Sequence, residues 1–189
     1  GQGIYEPEGR IRVVGEMKGG LLRWQVQSLY RQLDLFERER ERVQGRLRRE
    51  MRSRSLVARL CTVPGVGFLT AATLWAWIVD PGRFKSRNAL SAYAGLGLGQ
   101  GATAWKPIGR AKASKRGQRQ LKRILILAAN AASRSHSALG RRYQVHRDLG
   151  WEHSKAIRDL ARTLLRTVCA LWKMHQEYDD EQVTVPDRA

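Results

Sequence analysis

The chain has 189 residues, the size of one domain or of a small domain with a helical arm. It carries 35 Lys and Arg against 17 Asp and Glu, a net charge of +18, which points to a polyanionic partner and to nucleic acid before a membrane surface. From Pro81 to Arg147, 67 residues include 15 Lys and Arg and no Asp or Glu, so this stretch by itself holds neither a carboxylate-bound Mg²⁺ nor a paired-carboxylate hydrolase site.

The sequence opens Gly1-Gln2-Gly3 without Met, which suggests an excised fragment. Residues 1–20, with Pro7, Gly9, Gly15, Gly19 and Gly20, read as an irregular linker, with a short strand over Arg10 to Val14. Residues 21–54 read as one long helix. Leu22, Val26, Leu29, Leu33, Phe36, Arg40, Val43 and Leu47 follow alternating steps of four and three, the heptad seam of a coiled coil. The charged run Glu37 to Arg42 adds little, since unlike charges meet at i,i+3 and like charges at i,i+4. A narrow seam cannot bury itself. The expectation is therefore a homo-oligomer, dimer or tetramer, and the alternative is a solvated helix.

Residues 55–178 read as a helical domain. Leu56 to Cys61 and Phe68 to Val79 are helices joined by the tight turn Val63-Pro-Gly-Val-Gly67. Asp80-Pro-Gly82 is a second turn, and Ser86 caps a helix to about Ala94. Gly95 to Arg110 is loop. Ser114 reads as the N-cap of a helix to about Ser133, with Leu121, Ile124, Leu125, Ala128, Ala131 and Ala132 on one face. Leu139 to Arg147 is helical, and Glu152 to Glu177 is a long helix with Ile157, Leu160, Ala161, Leu164, Val168, Leu171, Trp172 and His175 at helical spacing. Residues 179–189 read as a frayed acidic tail. Strand alternation is lacking, so the expected fold is all-α. The 42% hydrophobic content supports a core. No apolar run reaches the roughly 18–20 residues of a membrane span, and no signal-peptide pattern opens the sequence. Cys61 and Cys169, within apolar helical patterns, read as buried free thiols of a reducing compartment. The expected location is the cytoplasm.

Two segments carry candidate chemistry. The Gly65-Val66-Gly67 turn joins two helices as in a helix-hairpin-helix element. Glycines allow close backbone approach, and the next helix offers free N–H groups and its positive dipole end to a phosphate. The alternative is a tight connection and nothing more. The second segment, Arg110 to Arg123, holds seven cations and no anion: Arg110, Lys112, Lys115, Arg116, Arg119, Lys122 and Arg123. Cations in a first helical turn oppose the macrodipole, and an external anion reverses that cost. Such clusters position a phosphate backbone rather than read bases. Of six tryptophans, Trp75 and Trp172 fit core faces, and Trp105 in the glycine-rich loop is a candidate base-stacking contact. His136, His146, His153 and His175 show no metal-ligand spacing, so no metal site is assigned.

These residues resemble a known family. Leu60 to Leu74 (LCTVPGVGFLTAATL), Asp80-Pro-Gly-Arg-Phe84, Leu90-Ser-Ala-Tyr-Ala-Gly-Leu96, Ser114-Lys-Arg-Gly117 and Leu121-Lys-Arg123 are similar, in that order, to the C-terminal domain of IS-one-ten transposases, relatives of the pilin-gene invertases. The heptad helix resembles their coiled-coil linker. The resemblance implies a DNA transposase or site-specific recombinase acting as a multimer at the bacterial nucleoid, in some members with a guide (bridge) RNA. It also implies a RuvC-like domain, outside this sequence, whose four carboxylates bind Mg²⁺, and a serine that links covalently to DNA phosphate. No cofactor is assigned to this chain itself. Where the family has Ser-Gly after the Tyr-Ala-Gly-Leu block, this chain reads Gly97-Leu-Gly-Gln-Gly-Ala-Thr-Ala-Trp105, which puts Thr103 near the serine's place. A threonine hydroxyl can attack phosphorus, although its methyl crowds an in-line approach. Ser114, the nearest serine, is accounted for by capping. The competing reading is a non-catalytic nucleic-acid-binding or regulatory module derived from such an enzyme, and a third is a DNA-repair accessory that uses the hairpin turn alone.

Overall fold

The computed structural model describes residues 2–97, 102–103, 106–107 and 117–182. The fold is all-α, and the chain divides after Glu50 into two compact units.

The first unit corrects the reading of residues 1–20 as irregular. Helix α1 runs Pro7–Glu16, and no strand forms over Arg10 to Val14. Proline at the first helical turn suits α1, since its missing N–H would lack an intrahelical partner there anyway. After Gly19 comes α2, Gly20–Met51. α1 is tied to α2 by Arg10, whose Nη1 donates to Asp34 Oδ1 at 2.5 Å and whose guanidinium lies 5.0 Å from the Tyr30 ring centre. Tyr30 Oη donates to the Ile4 carbonyl at 3.0 Å. No residue of α2 is buried. On the heptad seam, Leu29, Phe36 and Val43 are 61%, 69% and 63% exposed.

The second unit is built on α8, His153–Met174, which buries Ala156, Ile157, Leu160, Ala161, Leu164, Leu165, Val168, Cys169 and Leu171. That run repeats at steps of three and four, the spacing that puts side chains on one helix face. Each fully buried leucine contributes about 1.5–3 kcal/mol by leaving water. Helices α3 (Ser55–Leu60), α4 (Phe68–Ile78), α5 (Arg87–Tyr93), α6 (Arg119–Ala132) and α7 (Ala138–Asp148) complete the unit. α6 presents Leu121, Leu125, Ala128, Ala129 and Ala132 to the same core. Ser86 Oγ accepts from the Ala89 N–H and caps α5 as expected. Between Phe68–Ile78 and α5, Asp80 caps a 3-10 turn, Pro81–Arg83, by accepting from the Gly82 N–H. Residues 102–103 (β1) and 106–107 (β2) form a two-residue antiparallel pair.

Three further expectations change. Helix α6 begins at Arg119, with Gln118 as N-cap. The expected cap, Ser114, lies outside the described residues, and Gly117 at φ 107° stops the helix from reaching back to it. Cys61 is exposed, while Cys169 is buried and pushed up to about 12 by that burial. Residues 178–182 do not fray. The Tyr178 N–H donates to Thr62 Oγ1 at 2.9 Å, and both Asp180 carboxylate oxygens accept from the Ala138 N–H at 3.0 Å, at the start of α7. Arg141 and the Tyr178 hydroxyl also donate to Asp180. Burial opposes ionisation of Asp180, but these donors hold its carboxyl below the usual range.

Candidate nucleic-acid interface

The site begins where two of the sequence blocks meet. Helix α5 ends in Tyr93-Ala94-Gly95-Leu96, with Gly95 at φ 68° and the Leu96 N–H donating to the Ser91 carbonyl at 2.8 Å. This six-to-one closure satisfies a terminal carbonyl and turns the chain. Twenty-two residues after Gly95 the chain returns to the same place. The Gln118 N–H donates to the Tyr93 carbonyl at 2.9 Å, and Gly117 lies directly against Gly95. The segment between them therefore leaves and re-enters the domain at one point. Within it, Thr103 pairs with Lys106 in register, and Ala102 with Pro107.

The base of this segment rests on a polar cluster. Arg162 of α8 donates from Nε to the Leu96 carbonyl at 3.0 Å. Its Nη1 is 3.8 Å from Asp159 Oδ1, and Asp159 Oδ2 accepts from Arg142 Nη2 at 2.9 Å and contacts His146 Nε2 at 3.0 Å. Burial alone would raise the Asp159 carboxyl, but Arg142 and His146 hold it below the usual carboxylate range. Burial lowers Arg162, an effect that Asp159 opposes and Arg166 and Arg158 reinforce. His146 is 5% exposed and stacks on Trp151 at 4.1 Å. Nothing in the sequence pattern announced this cluster. His146 and Asp159 stand thirteen residues apart on different helices, and only tertiary packing brings them together.

Helix α6 starts directly beside this base. Arg119 is its first residue, and Arg119 and Arg123 are exposed while Lys122 is half-buried. The first turn holds no acid and no side-chain cap. Among the described residues, none of these three cations has a carboxylate within 4.0 Å. Arg110, Lys112, Lys115, Arg116 and Trp105 lie outside the described residues.

The glycine turn divides between two roles. Gly65, at φ 82°, packs against α6, where an added Cβ would lie 2.2 Å from the Ala128 carbonyl oxygen and 2.7 Å from the Ala132 nitrogen. Val66 is buried in the core. These two serve the tight connection of α3 to α4. Gly67, the N-cap of α4, is exposed, has open space where a Cβ would stand, and gives α4 no side-chain cap.

Among the described residues, no group of three or more His, Cys, Asp and Glu side chains could hold a metal ion. The Asp159 cluster does not fit Mg²⁺ either, because its one carboxylate is already shared by two arginines and a histidine. Among the described residues, no helix is long and apolar enough to cross a membrane.

The structure thus defines an all-α domain in which Arg119, Lys122 and Arg123 follow directly on the point where Gly117 meets Gly95. Residues 57–144 match the model of the Transposase IS116/IS110/IS902 family. The chain is also similar to the uncharacterized 43.6 kDa protein of insertion element IS110 from Streptomyces coelicolor, with 30% identity over 146 residues, 77% of this chain and 36% of that protein. Both similarities point to the same kind of transposase, and the matched family model takes in a little under half of this chain. The chain spans about a third of the length of the relative it matches.

Proposed function

We propose that this chain is the DNA-binding and strand-transfer portion of an insertion-sequence transposase, with Thr103 as its nucleophile. The observation that supports this most directly is the closed loop base. The resemblance to the transposase family leads us to expect a hydroxyl after Leu96, and the Gly95–Gly117 contact with the Arg162–Leu96 hydrogen bond supports this by holding the two ends of that stretch together. In the step itself Thr103 Oγ attacks a DNA phosphorus, one Oγ–P bond forms and one DNA P–O bond breaks. The threonine proton leaves to a base and the departing DNA oxygen takes up a proton. The phosphodiester energy is kept, so rejoining needs no nucleotide cofactor. By the same resemblance, Mg²⁺ would be held by a RuvC-like domain outside this sequence.

The DNA backbone is held by the cations from Arg110 to Arg123 and by the Gly67 end of α4, where backbone N–H groups and the helix dipole favour phosphate. A guide RNA is a second polyanion suited to the same surface. The heptad seam of α2 supplies self-association. Threonine in place of serine favours a second reading, a nucleic-acid-binding module without strand-transfer activity.

The deciding experiment incubates the full-length protein with its element ends and Mg²⁺ and looks for a covalent protein–DNA adduct. The transposase reading expects an adduct that Thr103→Ala abolishes and Thr103→Ser retains. DNA binding without any adduct sinks that reading and leaves the module. Arg116→Glu with Arg119→Glu is expected to weaken DNA binding at least about tenfold at low salt and to flatten its salt dependence. Unchanged binding would remove the basic segment from the interface.

A further inference from the structure

A second cationic feature lies apart from the Gly65–Gly67 turn and the start of α6. A cleft of about 610 Å³ opens between the Pro81–Arg87 stretch and the outer face of α8. Lys85 and Arg87 line it from one side, and Arg166 and Lys173 from α8. All four are exposed, and among the described residues none has a carboxylate within 4.0 Å. Arg142 also lines the cleft but is engaged by Asp159. Like charges gathered on a concave surface raise one another's energy, and a bound polyanion reverses that term.

The apolar lining decides which polyanion fits. Phe84, Leu90, Leu171 and Tyr178 face the same cleft. Phe84 and Tyr178 are half-buried and packed against the core, so they are held in place rather than free to collapse. Phe84 is further fixed by Tyr93, with ring centres 5.2 Å apart. Thr163 and Thr167, four residues apart on α8, add hydroxyls on the same wall. Flat apolar surfaces beside a row of cations are what unpaired nucleotides need, because their bases stack while their phosphates are neutralised. A duplex keeps its bases inside and can offer such a cleft only one backbone, leaving the aromatic lining without a partner.

We propose that this cleft seats unpaired nucleotides of a single-stranded DNA or RNA segment. The proposal rests on the reading that the chain handles nucleic acid, and it adds a site separate from the Arg110 to Arg123 segment. DNA and RNA share the phosphates and stacking faces, and the 2′-hydroxyl separates them.

The test measures fluorescence anisotropy of three probes with the 189-residue chain at low salt. The probes are a pyrimidine DNA strand of about 12 nucleotides, the RNA of the same sequence, and a DNA duplex. Arg87→Glu with Lys173→Glu changes two exposed side chains and is expected to leave thermal unfolding unchanged. Single-strand binding should fall at least about tenfold and duplex binding less than about threefold. If the charge reversal disturbs folding, Arg87→Gln with Lys173→Gln replaces it and should show the same selectivity. A photoreactive single strand should crosslink to the peptides containing Phe84 or Tyr178. Single-strand affinity that does not move, or that falls in step with duplex affinity, overturns the proposal. A wild-type chain that binds the duplex while the cleft variants leave single-strand binding unchanged sinks the cleft alone. A wild-type chain that binds no probe sinks the nucleic-acid reading as well. Whichever single strand loses more affinity in the variants identifies the occupant as DNA or RNA.

Discussion

Gly117 and Gly95 stand backbone to backbone. A Cβ on Gly117 would lie 2.5 Å from the Gly95 nitrogen and 2.6 Å from the Ala92 carbonyl oxygen. Neither neighbour is the end of a flexible side chain, so neither yields cheaply. Gly117 also holds φ at 107°, a region that L side chains rarely enter. Gly117→Ala should therefore cost about 2–3 kcal/mol in urea unfolding. Gly150→Ala is the control. It shares the positive φ, at 76°, but meets nothing within 4 Å, and should cost only about 1 kcal/mol. Equal losses in the two variants would show that the contact with Gly95 contributes nothing.

The long apolar periods of this domain were legible in the sequence. Ile157, Leu160, Ala161, Leu164, Val168 and Leu171 are all buried, because a 22-residue helix with one apolar stripe has a single way to cover it. The boundaries were less legible where glycine has two meanings. Gly9 and Gly15 lowered the helix expectation over residues 7–16, although Pro7 and Glu8 were valid start signals. Gly117 falls inside the helix that the sequence suggests from Ser114, although a glycine beside a cation run is a natural break. The likeness to the transposase family followed from short blocks in order, while the reason for two of them, the Gly95–Gly117 contact, needed the fold. The Asp159 cluster and the α5–α8 cleft draw residues from helices far apart in the chain, and no local period encodes that.

The glycine turn offers a sharper contrast, because two glycines one residue apart do different work. Gly65→Ala places a methyl within 2.2–3.0 Å of α6 and should lower stability by about 2–3 kcal/mol, through separation of α4 from α6. Gly67→Ala meets open space at an ordinary φ of −81° and should change stability by less than about 0.5 kcal/mol. If Gly67 belongs to a phosphate seat, that same variant should still weaken DNA binding. A loss of affinity at unchanged melting temperature would be the expected signature, and unchanged affinity would leave the turn a structural connection.

Asp159 predicts an acid-sensitive loop base. Burial disfavours its charge, yet Arg142 and His146 lower it below the ordinary value of 3.8. A depressed carboxylate contributes stability that is present above its unfolded value and is lost as pH falls through the folded one. Asp159→Asn should thus cost about 2 kcal/mol at neutral pH, after allowance for partial exposure. The gap to the wild type should be constant down to about pH 5 and close as the pH falls through and below 3.8. Denaturant titrations at stepped pH measure this directly. A gap that widens on acidification would mean that another group carries the acid sensitivity.

The helical arm gives the last prediction. α2 is 32 residues long and buries none of them, so much of its apolar seam is left uncovered by the described residues of its own unit. Isolated helices are marginal in water, and a heptad stripe becomes stable when a second stripe covers it. Leu29 and Phe36 are the seam positions to change, since both are more than 60% exposed, whereas Leu33 is half-buried and its loss would mix folding with association. Leu29→Glu with Phe36→Glu is expected to convert an oligomer of the wild-type chain to a monomer by multi-angle light scattering. The domain from Met51 onward should keep its melting transition, because its core lies in the second unit. A wild-type chain already monomeric at micromolar concentration, or a variant of unchanged molar mass, would show that the seam is not where the copies meet.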